Sequence, residues 1–492
     1  MNKYSRLQNG SDVRGVALEG VEGEPVTLTT DIARTIGYAF GQWLGKRLGG
    51  SGLKVAVGHD SRLSAETIKT AVSEGLEKAG CAVLDCGLAS TPAMFMATIF
   101  ENHGYDGSIM LTASHLPFNR NGLKFFIREG GLGKAEIKEI LAVATDTGDV
   151  EAAELSNTSV VSLMDDYTDH LVQIIRDGAG SDRPLEGLKI VVDAGNGSGG
   201  FFVHKVLTPL GADTAGSQFL DPDGSFPNHI PNPEDKEAMD ALIESVKNNG
   251  ADFGIIFDTD VDRAGAVDKN GRPINRNRFI ALMAAIVLED HPGSTIVTDS
   301  VTSSGLKWWI EEKLGGVHHR FKRGYKNVIN EAIRLNDTGT PSFLALETSG
   351  HGALKENYFL DDGAYQIAKI LIKIAQLKTE GQGTVDELIA ALPEPAEAIE
   401  FRMQIPADDF SAYADGVLAA FEELVEREEG WSLTPDNLEG VHVTTPNGWI
   451  LMRKSLHDPQ IPINIESDVP GGVEPMAAKV RGFLAAFDLD GP

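Results

Sequence analysis

The sequence predicts an α/β protein with three similar α/β domains, built on mixed or parallel sheets, and a C-terminal α+β domain. Length is the first indication, because 492 residues exceed the ~100–200 that one domain usually holds. The second is the alternation of short apolar segments with helical patterns, which is typical of βαβ units. The third is a change near residue 395, where a long helical pattern precedes three strand-like segments.

The predicted strands are short, mostly apolar and followed by Gly, Asp, Glu or Thr, as buried parallel strands with site-forming loops are. They are Leu53–Val57, Ser108–Leu111, Leu188–Val192, Phe253–Phe257, Thr295–Val297 and Phe343–Leu346. The helices predicted between them are Ala65–Ala79, Lys236–Lys247, Phe279–Leu288, Leu306–Leu314 and Ala364–Gln376. The last domain is predicted to hold the helix Ala407–Glu429 and the strands Gly440–Thr445, Trp449–Arg453 and Pro462–Glu466.

Three linker-like stretches divide the chain. They are Asp177–Pro184, Glu289–Gly293 and Pro393–Ala398, each rich in residues that break regular structure. We therefore predict four domains, at residues 1–180, 181–290, 291–394 and 395–492.

The chain is strongly acidic, with a formal net charge of −29 and a pI of about 4.8. Such a surface repels nucleic acids and anionic membranes, so neither is an expected partner. Two cysteines exclude a four-cysteine metal site and argue against a disulfide framework. The polar start of the chain and the lack of a long apolar segment predict a cytoplasmic location.

Three aspartates, Asp258, Asp260 and Asp262, follow the predicted strand Phe253–Phe257. Alternation along an extended loop would point the three side chains the same way. Carboxylates at a strand end suit Mg²⁺, and Arg263 would hold one carboxylate or a phosphate. An EF-hand does not fit, because Arg263 occupies the loop position that needs Gly. The alternative, a solvated acidic turn, is disfavoured because three crowded like charges need a cation.

Ser114 lies in the segment from Thr112 to Lys124, after the predicted strand Ser108–Leu111. A serine close to a histidine, here His115, and a lysine can act as a nucleophile or a phosphoryl carrier. Its hydroxyl can equally cap a backbone group in a turn, and the spacing alone does not decide between the two.

The segment T-A-S-H-x-P, followed by N-G-x-K, resembles the phosphoserine loop of the α-D-phosphohexomutases. That family includes phosphoglucomutase, phosphomannomutase and phosphoglucosamine mutase. Other segments are similar to further motifs of the family, in the family's order: Ser11–Gly15, Gly58–Arg62, Asp258–Arg263, Lys322–Lys326, Glu347–His351 and Arg453–Pro459. The resemblance spans nearly the whole chain, and the order of the motifs is more specific than any one of them.

The resemblance implies a role for each matching residue. Ser114 would be the phosphorylated resting residue, with His115, Arg14 and Lys124 beside its phosphate as the other catalytic residues. The substrate-binding residues would be Glu347, Ser349 and His351 at the sugar, Arg453, Ser455 and His457 at the non-reacting phosphate, and also Arg263 and Gly324. Mg²⁺ would be held by the Ser114 phosphate and by Asp258, Asp260 and Asp262.

The resemblance also implies the reaction, which interconverts a hexose 1-phosphate and a hexose 6-phosphate, with glucose or mannose as the sugar. The intermediate, which also serves as activator, would be a hexose 1,6-bisphosphate. The four domains would surround a central cleft, and the partner would be a small sugar phosphate. The protein is expected to be a monomer or a homodimer.

Several alternatives stay open. The enzyme could be a phosphoglucosamine mutase, because His351 occurs in loops of both kinds, or a non-catalytic sugar-phosphate-binding relative. Departures from the commonest family pattern at Ser11, Leu116 and Leu456–Asp458 leave the sugar undecided. Gly195–Gly200 matches the G-x-G-x-x-G of dinucleotide-binding oxidoreductases, but a lone match is weak, and we prefer a tight strand-to-helix turn. His318 and His319 are expected to form a surface pair.

Overall fold

The computed structural model describes residues 2–407, 409–435, 437–455 and 458–491. The chain divides into two compact units, Met1–Asn275 with Ser349–Val385 and Arg276–Thr348 with Asp386–Pro492. Each unit spans parts of more than one predicted domain, so the boundaries of the four domains stay a prediction. Nowhere in the described ranges is a helix both long and apolar enough to cross a membrane.

The first 180 residues form one sheet flanked by helices. Its strands are β1 (Gln8–Asn9), β2 (Asp12–Val16), β3 (Lys54–His59), β4 (Ala82–Leu88), β5 (Gly107–Leu111), β6 (Arg120–Ile127), β7 (Gly130–Gly131) and β8 (Thr158–Val160). The helices are α1 (Thr30–Leu48), α2 (Ala65–Lys78), α3 (Thr91–Met96), α4 (Lys134–Thr147) and α5 (Leu163–Ala179). The order is β1-β2-β6-β5-β3-β4-β8, with β7 paired to β6.

Strands β5, β3, β4 and β8 are parallel, whereas β6 and β2 are antiparallel to their neighbours. The carboxyl ends of the parallel strands therefore meet at one edge of the sheet, where ligands bind in open α/β sheets. The loops that carry Arg62 and Ser114 follow β3 and β5 at this edge. A continuous apolar core that includes Phe40, Val57 and Phe125 supports both strands.

Residues 181–275 form a smaller sheet of β9 (Ile190–Asp193), β10 (Phe253–Phe257), β11 (Ala264–Asp268) and β12 (Pro273–Ile274), with α6 (Lys236–Asn249) packed on it. Its order is β12-β11-β10-β9, and β9 and β10 are parallel. The loops after these two strands therefore lie side by side. Asp258 to Asp262 form the loop after β10, and Gly195–Gly200 form the loop after β9.

The glycine-rich loop is the predicted tight turn and leads into a short π-helical segment, Phe202–Leu207. The backbone N–H of Ser198 donates to the carbonyl oxygen of Thr259 at 2.8 Å. A Cβ atom at Gly197 would lie 2.7 Å from the same oxygen, so only glycine allows this approach. The G-x-G-x-x-G pattern thus supports the aspartate loop.

Residues 276–348 contain α7 (Arg276–Asp290), β13 (Thr295–Thr298), α8 (Ser304–Trp308), β14 (Val317–Arg320), α9 (Tyr325–Asp337) and β15 (Ser342–Leu346). Strands β14, β13 and β15 are parallel, in that order. Residues 349–385 add an antiparallel hairpin of β16 (Gly352–Leu354) and β17 (Leu360–Asp361), followed by α10 (Gly363–Glu380), which packs against α5.

The remaining elements are α11 (Val385–Leu388), β18 (Glu397–Gln404), α12 (Phe410–Arg427), β19 (Ser432–Leu433), β20 (Val441–Thr445), β21 (Gly448–Met452), β22 (Gln460–Ser467) and α13 (Val473–Leu484). The five strands form an antiparallel sheet in the order β18-β22-β21-β20-β19. Helices α12 and α13 cover it over a core that includes Phe421, Ile450 and Ile463. The predicted change from α/β to α+β is confirmed.

Two expectations about helix type and side-chain exposure differ from the structure. The predicted helix Leu306–Leu314 is α8 followed by a π-helical turn, Trp309–Lys313. His318 is not on the surface but is only 9% exposed, and its Nε2 lies 2.8 Å from Thr298 Oγ1 on the neighbouring strand. The two histidines do diverge, since Nε2 of His319 lies 2.9 Å from Glu331 Oε1.

Candidate active site

In the first compact unit, Ser114 contacts the residues that follow β10. Its Oγ donates to Asp258 Oδ2 at 3.0 Å and accepts from Arg263 Nη2 at 2.8 Å. Arg263 also donates through Nη2 to the same Asp258 oxygen at 2.8 Å. The serine hydroxyl therefore sits between a carboxylate and a guanidinium, and all three side chains are buried.

The backbone of Ser114 is held in an uncommon conformation, with φ at +51°. Its N–H donates to Thr112 Oγ1 at 2.8 Å, and its carbonyl oxygen accepts from the guanidinium of Arg62. Arg62 also donates to three further carbonyl oxygens of the same loop, at 2.6–2.9 Å, those of Leu116, Pro117 and Arg120. One buried guanidinium thus fixes the turn that presents Ser114.

The carboxylates of Asp258, Asp260 and Asp262 converge, with one oxygen of each within 4.8 Å of the others. They are at most 1% exposed. The backbone of this loop is not extended as expected. Val261 has a φ of +66°, and its N–H donates to the Asp258 carbonyl oxygen at 3.3 Å. A tight turn, not strand alternation, brings the carboxylates together.

These carboxylates fit a divalent cation. Lys124 donates to Oδ2 of both Asp260 and Asp262, at 2.8 and 2.5 Å. The Oδ1 atoms of the same two aspartates are buried without a hydrogen-bond partner in the described part of the chain. Buried carboxylate oxygens without partners are unfavourable, and hard oxygen donors are the ligands that Mg²⁺ prefers.

The pKa values of the three aspartates also indicate that the site needs more positive charge. Burial, together with the neighbouring Asp262 and Asp260, raises the pKa of Asp258 to about 8 in spite of Arg263. Burial acts in the same direction on Asp260, but the ammonium of Lys124 outweighs it and holds the pKa of that carboxyl well below its usual range. One lysine and one arginine do not keep all three carboxyls ionised.

Two histidines flank this centre in opposite charge states. Burial and the charges of Arg263 and Arg14 lower the pKa of His115 to about 2, so its ring is neutral. Its Nδ1 accepts from Arg263 Nη2 at 2.7 Å. Burial alone would lower the pKa of His351, but the carboxylates of Asp361 and Asp262 outweigh it and raise the value to about 9. His351 Nδ1 lies 2.7 Å from Asp361 Oδ2.

Arg14 and Lys124 come from adjacent antiparallel strands, β2 and β6. Arg14 faces Gly122 across the pair, and its guanidinium lies 2.9 Å from Asp12 Oδ2. A side chain at Gly122 would meet Arg14 Cγ at 3.0 Å.

Ser349 is buried just before Gly350, whose φ is +95° and whose backbone packs on Ala264.

The second compact unit holds the other candidate residues. Glu347 follows β15, and its Oε1 accepts from the backbone N–H of Gly324 at 2.5 Å. Gly324 has φ of +114°, which favours glycine. Arg323, just before it, has its Nε 3.9 Å from Asp299 Oδ2. The Glu347 loop and the glycine loop are therefore in direct contact.

Arg453 and Ser455 follow β21. Arg453 is 5% exposed, and burial and then the nearby charge of Arg323 lower its pKa. Its Nε has no hydrogen-bond partner among the residues that the structure describes. Ser455 Oγ accepts from the N–H of Asp458 at 3.3 Å. His457, predicted to bind the same phosphate, lies outside the described residues.

The structure thus brings together Ser114, His115, Lys124, Asp258, Asp260, Asp262, Arg263 and His351 in one unit. Three supporting residues had no predicted role. Arg62 lies in a motif noted in the sequence, Asp361 orients His351, and Thr91 donates its hydroxyl to Asp260 Oδ2. No local pattern marks Thr91 or Asp361, because their contacts are distant along the chain.

Comparison with known proteins gives matches over most of the chain. Family models described as phosphoglucomutase/phosphomannomutase α/β/α domains I, II and III match residues 5–150, 165–271 and 275–396. A phosphoglucomutase of Neisseria meningitidis is 31% identical, with 95% of each chain covered. A phosphomannomutase/phosphoglucomutase of Pseudomonas aeruginosa is 31% identical, with 97% of this chain and 96% of the relative covered.

A solved structure shows the same likeness in three dimensions. It is the crystal structure of a phosphoglucomutase/phosphomannomutase family protein from Burkholderia thailandensis. It superposes with a TM-score of 0.81 at 28% identity, and all of both chains is covered.

Proposed function

This chain belongs to the α-D-phosphohexomutase family, a family of isomerase-class mutases, and from this premise we propose that it interconverts hexose 1-phosphate and hexose 6-phosphate. The single observation that carries the proposal is the contact of the Ser114 hydroxyl with both Asp258 and Arg263. It supports a phosphoryl-carrying serine beside a metal loop, with glucose or mannose as the sugar.

In the proposed reaction Ser114 carries the phosphoryl group between two positions of the sugar. The bond between Ser114 Oγ and phosphorus breaks while a bond forms from phosphorus to a hydroxyl oxygen of the hexose phosphate. The proton of that hydroxyl ends on Ser114 Oγ, and the product is a hexose 1,6-bisphosphate. The bisphosphate then returns its other phosphoryl group to Ser114, so the enzyme is restored.

The protein residues neutralise and orient the phosphoryl group, which is most of what such a transfer needs. Arg263, Lys124 and Arg14 supply positive charge from fixed positions. His115 supplies a hydrogen-bond donor, because its Nδ1 already accepts from Arg263 and the neutral ring therefore keeps its proton on Nε2. The clamp of Arg62 on the loop holds Ser114 in place for the transfer.

Asp258, Asp260 and Asp262, with an oxygen of the Ser114 phosphate, would hold Mg²⁺. When bound, that ion supplies positive charge at the equatorial phosphoryl oxygens. The two Oδ1 atoms that lack a hydrogen bond among the described residues, and the three buried carboxyls, support this assignment.

Recognition of the sugar and of the second phosphate is assigned to other residues. Glu347 would accept from sugar hydroxyls, with Ser349 and His351 as further sugar contacts and Gly324 as the backbone partner of Glu347. Arg453 and Ser455, with His457, would bind the non-reacting phosphate. The Nε of Arg453, which has no hydrogen-bond partner among the described residues, supports its availability for an anion.

A coupled assay on the purified protein tests the proposal. The assay supplies Mg²⁺, a trace of glucose 1,6-bisphosphate and, in parallel, the 1-phosphates of glucose, mannose and glucosamine. We expect formation of the 6-phosphate from glucose or mannose and none from Ser114→Ala. Turnover of glucosamine 1-phosphate alone would assign the protein to the phosphoglucosamine mutases instead, and no turnover of any sugar would contradict the proposed reaction.

A further inference from the structure

A cavity of about 320 Å³ lies wholly within the second compact unit. Its walls come from the ends of β13 and β14, from α8 with the turn after it, and from the segment around β19 and β20. None of Gly324, Glu347, Arg453 and Ser455 lines it. The cavity is therefore separate from the residues to which we assign substrate binding.

Arg320, the last residue of β14, supplies the charge of the inner wall. Its Nε donates to Thr302 Oγ1 at 3.1 Å and its Nη2 donates to the carbonyl oxygen of Ser303 at 2.8 Å. Both partners are uncharged, and within the described ranges no carboxylate lies within 4.0 Å of this guanidinium. Arg320 is partly buried, and the carboxylates of Glu466, Glu311 and Asp299 act on its charge without forming a direct ion pair. An anion in the cavity would give this guanidinium a direct counterion.

Two histidines of the lining, His318 and His442, are polar but uncharged. His318 and His442 are 9% and 4% exposed. Burial lowers the pKa of His318 well below its usual range and that of His442 to about 3, so both rings stay neutral. Each keeps one ring nitrogen without a hydrogen-bond partner among the described residues, Nδ1 of His318 and Nε2 of His442.

Two carboxylates line the cavity, Glu439 and Glu311, and neither forms a direct ion pair with Arg320, although the charge of Glu311 acts on it from a longer distance. Glu439 accepts from Ser300 Oγ and from the backbone N–H of Arg323 at 3.1 Å. Glu311 is at the rim, with its side chain 32% exposed and its Oε2 3.9 Å from Lys307 Nζ. Lys307 adds a second cation at the entrance, with its side chain 56% exposed.

We propose that this cavity is a second ligand site, which binds the phosphate group of a small metabolite through Arg320, with Lys307 at its entrance. The volume is at the lower end of that of ligand pockets, which suits inorganic phosphate or a monosaccharide phosphate and excludes a dinucleotide. The backbone N–H of Arg323 donates to Glu439, and that of Gly324 donates to Glu347, so a ligand here would lie beside the loop assigned to the sugar.

Calorimetric titration of the full chain with inorganic phosphate, and separately with a hexose 6-phosphate, tests this site. The titrations use an Arg453→Ala background, which removes the phosphate contact assigned to the substrate. We expect the Arg453→Ala protein to bind both ligands. Adding Arg320→Met should raise Kd about 10- to 100-fold, because one charge-assisted hydrogen-bonding group is lost. Lys313→Met, an exposed lysine of the same region that does not line the cavity, is the matched control and should leave Kd unchanged.

Lys307→Met tests the same site at an exposed position that does not endanger folding, and a weaker loss, of about 3-fold, is expected there. Binding of the hexose phosphate but not of inorganic phosphate would identify a sugar phosphate as the ligand and support the site. No binding in the Arg453→Ala background, or an equal Kd in the Arg320→Met and Lys313→Met proteins, would overturn it. Because the readout is binding, loss of the proposed mutase activity would leave this test intact.

Discussion

The buried arginine and lysine side chains of the candidate site differ in whether a carboxylate already lies against them. Arg263 and Lys124 lie against buried aspartates at 2.5–2.8 Å, so their charge is committed to the metal loop. Arg453 is equally buried, but its Nε has no partner in the described part of the chain. A buried guanidinium of this kind is suited to a bidentate contact with a phosphate that arrives with the substrate.

Replacing Arg453 should therefore act on substrate binding. We expect Arg453→Ala to raise KM about 10- to 100-fold, the value of a charge-assisted contact worth roughly 1.5–3 kcal/mol. Steady-state kinetics with the preferred hexose phosphate measure this change in KM. Lys454→Ala is the matched control, because Lys454 carries the same charge next in sequence but is bonded to Asp415 at 2.7 Å. Equal KM values in the two variants would mean that the phosphate contact is misassigned.

Among the elements, the turn after β5 depends on a residue far away in sequence. Arg62 donates to four carbonyl oxygens of the loop that includes Ser114, and those bonds hold Ser114 at positive φ. A lysine has one point of charge and cannot make this fan of contacts. The loop is therefore expected to lose its conformation before the rest of the sheet does.

Arg62→Lys should lower kcat strongly and reduce the free energy of unfolding by about 2 kcal/mol or more, because buried carbonyl groups lose their donors. Hydrogen exchange would show faster exchange confined first to residues 112–120. Arg128→Lys, an exposed position just after β6, should change neither quantity. Unaltered exchange in the loop of the Arg62→Lys protein would rule out the clamp.

A pH-dependent contact joins Asp193, the last residue of β9, to His229 in the segment before α6, at 3.1 Å. Burial by itself lowers the pKa of His229, but the hydrogen bond and charge of Asp193 outweigh it and raise the pKa above its usual value. A raised folded-state pKa gives stability that is complete below about pH 6.5 and is lost as the pH rises through the folded value. The contact should therefore stabilise the protein more at pH 6 than at pH 9.

Denaturant unfolding of the wild type and of His229→Gln at pH 6 and pH 9 measures this effect. The difference in unfolding free energy between the two proteins should be larger at pH 6. A His204→Gln variant, at an exposed position of the π-helical segment Phe202–Leu207, is the control and should not show this pattern. A difference for His229→Gln that grows towards pH 9 would contradict the assignment.

The sequence predicts where the strands and helices lie better than it predicts the loop conformations and the contacts between strands. Buried parallel strands such as Phe253–Phe257 are readable because their apolar runs are local, and this one has the predicted bounds. The turn at Val261 was not predictable, since a β-branched residue at positive φ is held there by bonds that only the folded loop makes. The burial of His318 follows from the pairing of β14 with β13, which is also a long-range property.

For the molecule as a whole, the net charge of −29 means that positive charge at the site must come from local groups and from a bound cation. We expect EDTA to abolish turnover and excess Mg²⁺ to restore it. Because Mg²⁺ would bind the folded state alone, it should also raise Tm. The Asp260→Asn protein should lose most of that rise, whereas Asp240→Asn, at a half-exposed position on α6, should keep it. Turnover that survives EDTA would contradict the assignment of the aspartates.

The central claim is that Ser114 carries the phosphoryl group, and a chase experiment tests it most directly. The protein is incubated with glucose 1,6-bisphosphate labelled with ³²P at both phosphates, separated from free ligand, and mixed with unlabelled hexose 6-phosphate. We predict label on Ser114, located by mass spectrometry, which passes to the sugar at a rate at least equal to kcat. Label that stays on the protein, or its absence from Ser114 while the enzyme turns over, would contradict the account.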